Sequence, residues 1–373
     1  MLKRTKIVAT ISDKRCDVDF IRALYQAGMN VARLNTAHMS PGSAKNLISN
    51  IRSVSENIAI LVDTKGPEIR TSSNGVEIKV ETGMNIKIIG NPDGASGNDT
   101  VYVSYPNIAA EVPVGKTILI DDGEIELKVI DKSDNTLYCE VTNCGTIKLR
   151  KSVNIPNVHI NLPSLTDKDK AFVQFAIENN IDFLAHSFVR NKHDVLEIKE
   201  ILHKHNSPIK IIAKIENQQG VDNIDEILDH AYGVMVARGD LGIEIPAEKL
   251  PIIQRRIVRK CIESKKPVII ATQMLHTMIE HPRPTRAEIS DIANAIYQRT
   301  DAIMLSGETA YGQYPVEAVE VMTRVAREVE EAQEADLSVN LVRINNEITA
   351  TLAKAAVRAC SSLPIKAIIV DTL

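Results

Sequence analysis

Eight short apolar runs alternate with amphipathic segments along this chain, and this alternation constrains the fold more strongly than any other feature of the sequence. Near-continuous apolar runs are typical of parallel strands buried on both faces, with helices covering the outside of the sheet. Eight such units predict a (β/α)8 barrel rather than an open sheet. The runs are KIVAT (6–10), NVARLN (30–35), AILVDT (59–64), FLAHSF (183–188), IKIIAKIE (209–216), GVMVARGD (233–240), PVIIATQ (267–273) and AIMLSGE (302–308).

The segment from 67 to 159 interrupts this alternation. It consists of short stretches of alternating polar and apolar residues, such as VEIKVE and TLYCEVT, separated by turn signals that include Asp121-Asp122-Gly123. This pattern indicates an all-β domain inserted after the third strand. Because the insertion leaves from the carboxyl end of a strand, we expect it to lie over the mouth of the barrel and to act as a lid that excludes water.

The C-terminal part of the sequence predicts one further helix, EITATLAKAAVRACSS, and one further strand, IKAIIVDT. A single unit of this kind cannot bury its own apolar face, so it should either pack on the barrel or belong to a longer domain that is cut short here. The predicted fold class is α/β. It comprises a (β/α)8 TIM barrel at 1–66 and 160–338, an inserted β-barrel-like lid domain at 67–159, and a short, partial C-terminal α/β domain at 339–373.

Composition and charge exclude several classes of function. The formal net charge is -4, tryptophan is absent and aromatic residues make up 3%, so no surface for a nucleic-acid polymer or an anionic membrane is expected. The apolar stretch from Ile7 to Ile11 is too short for a signal peptide, and no segment has the length of a membrane span. The five cysteines form no CxxC pair, which disfavours disulfide frameworks and zinc sites and favours a cytoplasmic location.

Polar residues recur where the predicted strands end. Active sites of (β/α)8 barrels lie at the carboxyl ends of the strands, so these side chains should meet at one mouth. Lys214 and Glu216 stand two positions apart, and alternation along a strand puts both on the same side. The residues at the ends of the second to eighth strands are Arg33 and Asn35, Asp63 and Thr64, Ser187, Lys214 and Glu216, Arg238 to Asp240, Thr272 and Gln273, and Ser306 and Glu308.

This set of side chains suits phosphoryl transfer. Glu216 and Asp240 come from neighbouring strands and offer the hard oxygen ligands that Mg2+ prefers, with substrate oxygens and water completing the shell. Arg33, Lys214 and Arg70 add positive charge, which suits an anionic, phosphorylated substrate. Positioning and charge neutralisation do most of the catalysis in phosphoryl transfer, so the mixture of cations and carboxylates favours this reaction class.

Each motif also has a purely structural interpretation when it is taken alone. A Lys-x-Glu pair on a strand is usually a solvated ion pair, and Arg-Gly-Asp makes a good turn. His38 and His186 are equally consistent with satisfied polar side chains and with ligand contacts. The recurrence of polar residues at most of the strand ends is what favours a functional site.

Six segments of the sequence resemble the pyruvate kinase family. They are NVARLN with His38, LVDTKGPEIRT (61–71), KIIAKIEN, VMVARGDLGIEIP, IIATQMLHTMI with RPTRAE, and IMLSGETAYGQYP. The resemblance implies a glycolytic phosphotransferase that moves the phosphoryl group of phosphoenolpyruvate to ADP, giving pyruvate and ATP. It also implies an enolate held at magnesium, which is protonated through water near Thr272, with Ser306 and Glu308 as a relay.

The resemblance implies roles for individual residues as well. The catalytic residues would be Lys214, Arg33, Thr272 and Arg70, and phosphoenolpyruvate would bind to Arg33, Lys214, Gly239, Asp240 and Thr272. The nucleotide would bind to Arg70, Lys151, His38 and Asn35, and Mg2+ (or Mn2+) would bind to Glu216 and Asp240.

A potassium site is implied at Asn35, Asp63 and Thr64. The family usually adds a serine to this set, but Ala37 stands at that position, so one oxygen ligand is missing. Glu68 matches the acidic residue that accompanies K+ dependence in the family. We therefore expect a K+ site that is weakened or completed by water.

The resemblance further implies a homo-oligomer, which in the family is a tetramer. The family's C-terminal domain carries several more βα units than follow here, so a dimer formed through the barrels is the alternative. Two other functions stay open. One is a magnesium-dependent barrel lyase or aldolase that stabilises a pyruvate enolate, although it would not explain Lys214, Lys151 or the insertion. The other is a ligand-binding remnant without catalysis.

Overall fold

Eight parallel strands form a closed barrel in the computed structural model, which describes residues 3–37, 39–332, 347–363, 365 and 369. The strands are hydrogen-bonded in chain order and the last closes on the first. Each predicted apolar run contains one of them, so the predicted barrel is confirmed. They are β1 (Lys6–Thr10), β2 (Val31–Asn35), β3 (Ala59–Asp63), β4 (Phe183–His186), β5 (Lys210–Ile215), β6 (Gly233–Ala237), β7 (Val268–Ala271) and β8 (Ala302–Leu305).

The two faces of each strand belong to different hydrophobic clusters. Apolar side chains including Leu61, Ile212 and Met235 fill the inside of the barrel, and the alternate residues, such as Ile211 and Ala213, pack under the helices. This alternation decides where the polar end of β5 points. Because Ile212 faces inward, the side chain two positions later also faces the barrel axis.

Helices cover the barrel, and several begin and end as the sequence predicts. Thr166 and Thr285 each accept a hydrogen bond from the third residue of their helix in a capping box, and Gly28 ends α1 in a left-handed conformation at φ 120°. The helices are α1 (Val18–Ala27), α2 (Pro41–Val54), α3 (Ile108–Glu111), α4 (Asp167–Glu178), α5 (Lys192–Lys204), α6 (Gln218–Asp222), α7 (Ile224–His230), α8 (Arg238–Glu244), α9 (Leu250–Glu263), α10 (Arg286–Tyr297), α11 (Gly307–Ala310), α12 (Pro315–Ala332) and α13 (Glu347–Ser362), with 3-10 turns at Ala247–Lys249 and His276–Ile279.

The segment between β3 and α4 is mainly β-structure with its own hydrophobic cluster, and α3 is its single short helix within the described residues. No residue of this cluster belongs to the clusters of the barrel. The strands form a six-stranded sheet and two two-stranded sheets. In spatial order, the large sheet contains Val153–Asn154, Thr117–Ile120, Ile125–Lys132, Thr136–Val141, Asn85–Gly90 and Thr100–Val103, and the small sheets pair Gly145–Ile147 with Ile78–Val80 and Asn74–Gly75 with Ala95–Ser96.

The predicted C-terminal helix is present as α13. The strand predicted after it lies outside the described residues, apart from Ile365 and Ile369. Over the part of the chain that the structure describes, no helix combines the length and the hydropathy needed to cross a membrane.

Candidate active site

Lys214 lies at the centre of a buried cluster of polar groups inside the mouth of the barrel. Its ammonium nitrogen is 2.9 Å from Glu216 Oε1 and 3.1 Å from Asp63 Oδ1, and it donates to Ser187 Oγ at 2.7 Å. The predicted placement of Lys214 and Glu216 on the same side of β5 is therefore confirmed. All three donor positions of the ammonium group are directed at acceptors, so its position is fixed by three elements of the barrel.

Asp63 connects this lysine to a second cation. Its other oxygen, Oδ2, accepts hydrogen bonds from Arg33 at 2.6 Å, and Arg33 also donates to the hydroxyl of Thr10 at 2.9 Å. Arg33 and Asp63 are both buried. Because each oxygen of Asp63 binds a different cation, the carboxylate holds Arg33 and Lys214 close together at the carboxyl ends of β2, β3 and β5.

The protonation states of these groups are set by their burial and by the charges of their neighbours in the cluster. Burial disfavours the charged ammonium of Lys214, but Asp63 and Glu216 outweigh this effect and raise the lysine pKa above its usual value. Burial likewise works against ionised Asp63, and Arg33 and Lys214 overcome it and lower the pKa of that carboxyl group. At neutral pH the cluster therefore contains two permanent cations and an ionised aspartate.

Glu216 and Asp240 fit the requirements of a divalent cation. Burial raises the pKa of Glu216; the nearby carboxylates of Asp240 and Asp63 act in the same direction, and Lys214 opposes them. Three carboxylates thus face two cations, and a dication would relieve the excess of negative charge. Glu216 Oε2 also accepts the backbone N–H of Phe188 at 2.6 Å, which orients the carboxylate. Among the described residues no group of three or more His, Cys, Asp or Glu is arranged to hold a metal, so this pair would need substrate or water oxygens.

Thr272 and Gly239 meet where β6 and β7 end. The N–H of Gly239 donates to Thr272 Oγ1 at 2.7 Å, and Thr272 Oγ1 donates to the carbonyl oxygen of Ala271 at 2.7 Å. The sixth predicted run, 233–240, is longer than the observed strand, because β6 ends at Ala237 and α8 begins at Arg238. Asp240 accordingly lies in the first turn of a helix.

The predicted potassium ligands are close together but are mostly bound to protein groups. Asn35 Oδ1 accepts the N–H of Ala37 at 3.2 Å, and the carbonyl of Thr64 accepts from Ser187 Oγ at 2.7 Å. The methyl group of Ala37 provides no ligand, and its carbonyl oxygen accepts from Lys168 Nζ at 3.2 Å. The side-chain oxygens available to a monovalent cation are therefore few.

Two predicted nucleotide-binding residues come from the insertion. Arg70 pairs with Glu68 at 2.7 Å and donates to the carbonyl oxygen of Arg150 at 2.8 Å. Lys151 Nζ is 2.8 Å from Asp121 Oδ1. Both cations are therefore held by carboxylates of the insertion or of the segment that leads into it. Two further residues are predicted to contact the nucleotide: Asn35, which lies at the end of β2, and His38, which lies outside the described residues.

Two adjoining cavities separate the insertion from the barrel mouth. One has a volume of about 860 Å³ and is lined by Arg33, Asn35, Ala37, Asp63, Thr64 and Lys214 among others; the other has a volume of about 660 Å³ and includes Lys151. Arg70, Glu216 and Asp240 line both. The structure thus brings most of the predicted site residues to one cleft, while Gly239 and Thr272 do not appear in the lining of either cavity.

Sequence reasoning assigned no role to two residues that organise the site. In the sequence, Ser187 and Arg238 are simply residues at strand ends; in the structure, Ser187 joins Lys214 to Thr64, and Arg238 donates to Thr272. Conversely, the relay suggested for Glu308 is not supported by its contacts. Its two carboxylate oxygens accept backbone N–H groups of Leu275 and Ser306, which is a structural role.

Comparisons with known proteins identify the family. The family model described as pyruvate kinase, barrel domain, matches residues 2–319. A pyruvate kinase of Borreliella burgdorferi is 52% identical over the whole chain, which covers 78% of that protein. One from Geobacillus stearothermophilus is 47% identical, again over the whole chain, which covers 65% of that protein. The crystal structure of a pyruvate kinase from Cryptosporidium parvum matches with a TM-score of 0.92 and 38% identity over 98% of this chain and 77% of that one. The chain belongs to the pyruvate kinase family.

Proposed function

We propose that this protein transfers the phosphoryl group of phosphoenolpyruvate to ADP, forming pyruvate and ATP. The observation that carries this proposal is the buried arrangement of Lys214 and Arg33 around Asp63, beside the carboxylates Glu216 and Asp240. A fixed pair of cations next to a pair of hard metal ligands is the combination that phosphoryl transfer requires.

Lys214 and Arg33 neutralise the migrating phosphoryl group. Both are buried and already oriented by Asp63, so little reorganisation is needed when charge moves from phosphoenolpyruvate to the nucleotide. Preorganised cations in a water-poor site act more strongly than the same cations in solution. Lys214 would have to exchange one of its present acceptors for a phosphoryl oxygen, and the hydroxyl of Ser187 is the weakest of the three because it is uncharged.

Glu216 and Asp240 would hold Mg2+ or Mn2+. When bound, the ion would supply Lewis-acid stabilisation of the phosphoryl oxygens and of the enolate oxygen. Asn35, Asp63 and Thr64 would hold K+, and the absence of a side-chain oxygen at Ala37 supports a weaker site than four protein ligands would make. In this arrangement the negative charge of Asp63 would stabilise Arg33, Lys214 and the monovalent ion together.

The insertion contributes the contacts to the nucleotide. Arg70 and Lys151 lie on the cleft and carry the charges that suit a diphosphate. Their present partners, Glu68 and Asp121, would be displaced or shared when phosphate oxygens arrive. On the barrel side, the N–H of Gly239 and the hydroxyl of Thr272 would contact the carboxylate of phosphoenolpyruvate, which leaves the threonine beside the enolate carbon that must be protonated.

The assay that tests this function compares products with and without ADP. The protein is incubated with phosphoenolpyruvate, Mg2+ and K+, and pyruvate and ATP are quantified. Pyruvate and ATP formed in equal amounts, and only when ADP is present, are the expected result. Pyruvate formed without ADP would indicate a lyase or hydrolase instead, and no turnover under any of these conditions would favour a ligand-binding protein.

A further inference from the structure

Directly after β7, two consecutive residues have a left-handed backbone conformation, which is unfavourable for residues that carry a Cβ atom. Thr272 has φ 69° and Gln273 has φ 54°. A positive φ is uncommon for any residue with a Cβ, and it is most unfavourable for a β-branched one such as threonine. Strain of this kind persists only where the surrounding structure enforces it, and it is concentrated at functional sites.

Arg238 is bound to both sides of this turn. Its Nη2 donates to the carbonyl oxygen of Thr272 at 2.7 Å and contacts the sulfur of Met274 at 2.8 Å. Its Nη1 donates to Asp291 of α10 at 2.8 Å, and the guanidinium is largely buried, with its side chain 10% exposed. The planar, charged fork thus binds both sides of the strained turn and is itself oriented by a carboxylate.

Gly239, the residue after Arg238, makes a second hydrogen bond to Thr272. The N–H of Gly239 donates to the threonine hydroxyl, so two consecutive residues of α8 bind the backbone oxygen and the side-chain oxygen of one threonine. These contacts fix the direction of the Thr272 hydroxyl relative to Gly239 and Asp240. A change in the β7 turn would therefore move the hydroxyl and leave the other substrate contacts in place.

We propose that Arg238 is a positioning residue for the reaction. It holds the left-handed backbone of Thr272 and Gln273, and through it the threonine hydroxyl, in the orientation needed beside the substrate carboxylate and the water through which the enolate is protonated. This inference rests on the proposed function, because it assigns Arg238 to the half of the site that handles the pyruvate moiety and not to the half that binds the nucleotide.

The test uses the whole chain described here and two reactions. One is formation of pyruvate from phosphoenolpyruvate and ADP, and the other is exchange of the methyl protons of pyruvate with D2O, followed by proton NMR, which reports enolate protonation without ADP. In Arg238→Gln we expect kcat and the exchange rate to fall by roughly a hundredfold, since small misplacements of catalytic groups have effects of this size. The KM for ADP should stay within about twofold of wild type, because the nucleotide side is untouched.

A rescue variant separates positioning from direct contact with the substrate. Glycine adopts positive φ without penalty, so Gln273→Gly should let the turn keep its shape without the arginine. Gln273→Gly added to Arg238→Gln should recover several-fold of the lost kcat and exchange rate. If Arg238 itself bound the substrate, glycine at position 273 would recover nothing.

Arg52→Gln is the matched control. Arg52 also pairs with an aspartate of another element, Asp182, at 2.9 Å and donates to a backbone carbonyl, that of Ile58, at 2.8 Å. It lies at the amino ends of β3 and β4, away from the cleft. Its substitution should leave kcat and exchange within about twofold of wild type, so a shared loss in both variants would mean that the effect is general destabilisation.

Two milder variants decide the question if Arg238→Gln does not fold. Arg238→Lys keeps the charge but cannot bind Asp291 and Thr272 as a fork, and Asp291→Asn keeps the arginine but removes its ionised partner. Both should show an intermediate loss of kcat and exchange at unchanged KM for ADP. Wild-type rates in both would overturn the proposal. Absence of pyruvate formation by the wild-type protein would instead overturn the proposed function.

Discussion

At the scale of single residues, the cluster around Lys214 is better explained by chemistry than by stability. Taking ions out of water costs several kcal/mol each, and buried ion pairs are often no more stable than apolar residues of the same volume. Lys214, Asp63 and Glu216 are all nearly inaccessible. A fold that needed only stability would gain little from them, so their presence at the mouth of the barrel is consistent with a function in catalysis.

Lys214→Met should reduce kcat by roughly a hundredfold or more, because a neutral side chain cannot offset the charge of the migrating phosphoryl group. Lys210→Met is the control. Lys210 begins the same strand at its opposite end and is exposed, so its substitution should leave turnover unchanged. Steady-state kinetics of the two variants, with circular dichroism to verify folding, provide the measurement. Near-wild-type turnover in Lys214→Met would remove Lys214 from the mechanism.

His186 gives a second prediction at this scale. It is fully buried, and neither ring nitrogen has a hydrogen-bond partner among the residues that the structure describes. Burial lowers its pKa to about 4, although Asp194, Asp169 and Glu197 act against this shift and Arg190 adds to it. Among the described residues His186 therefore has no protein partner for its ring nitrogens, contact with a ligand stays a prediction, and burial makes the histidine sensitive to acid.

The sign of the pH effect follows from the lowered pKa. Above the unfolded value, near 6.5, both states are neutral; below it the unfolded chain binds a proton that the folded chain refuses until about pH 4. Stability should thus fall by about 2 kcal/mol from this group between roughly pH 7.5 and pH 5. Urea unfolding of His186→Leu should show a correspondingly smaller loss than wild type. His193→Leu, on the exposed face of α5, should retain the wild-type pH dependence.

At the scale of elements, the sequence predicts strands well and their polar ends poorly. The apolar run of β5 identifies the strand, because a strand buried on both faces needs apolar side chains at successive positions. The end of β6 is different, because Arg-Gly-Asp is compatible with a turn and the structure begins α8 there. The contacts of Arg238 with Thr272 and of Asp63 with Arg33 join residues distant in the chain. Pairing of β2 with β3 and of β6 with β7 brings these partners together, and periodicity and local motifs do not specify which side chains at neighbouring strand ends bond to each other.

Asp169 illustrates how one side chain links two elements. Its Oδ2 closes the capping box of α4 with Thr166, and its Oδ1 accepts the backbone N–H groups of Lys65 and Gly66 at 2.9 and 3.3 Å. Those two residues lead from β3 into the insertion. The start of α4 is thereby fastened to the segment from which the insertion leaves.

Asp169→Asn should lower the free energy of unfolding by about 2 to 3 kcal/mol, because buried hydrogen bonds to a charged acceptor contribute about this much and the amide would present a donor to N–H groups. Ser43→Ala is the comparison, since Ser43 closes the capping box of α2 with Ser40 at an exposed position. It should cost about 1 kcal/mol or less. Equal losses in urea unfolding would show that the link to Lys65 and Gly66 contributes nothing.

At the scale of the whole molecule, the barrel and the insertion are separate in their cores. The clusters that fill and surround the barrel contain no residue between Asp63 and Ser164, and the cluster of the insertion contains none of the barrel strands. The two chain segments that join them run side by side, with Thr71 N–H donating to the carbonyl of Lys151 at 2.8 Å and Arg150 N–H to that of Ser72 at 3.3 Å. This geometry supports treating the insertion as a lid that moves on a two-segment connection.

Excising the insertion should therefore leave a folded barrel. Residues 73–149 can be replaced by a short glycine-serine turn, because Ser72 and Arg150 are already hydrogen-bonded and closing a short loop between them costs little. Removing the insertion would expose Ile69 and Val153, which pack in its core, so Ile69→Thr and Val153→Thr would reduce the apolar surface left in contact with water. The shortened chain should unfold cooperatively in urea and retain the far-UV circular dichroism of a (β/α)8 barrel.

The same variant should lose phosphoryl transfer to ADP but keep part of its ability to exchange the methyl protons of pyruvate. Without the insertion, water enters the cleft and screens Lys214 and Arg33, so transfer to ADP should fall by roughly a hundredfold or more. In the proposed function, exchange of pyruvate protons uses Thr272 and Gly239, which belong to the barrel, so the exchange rate should fall much less. Equal losses in the two reactions would mean that the insertion supports the whole site. Wild-type transfer would mean that it does not act as a lid, since water exclusion would then have no part in the rate.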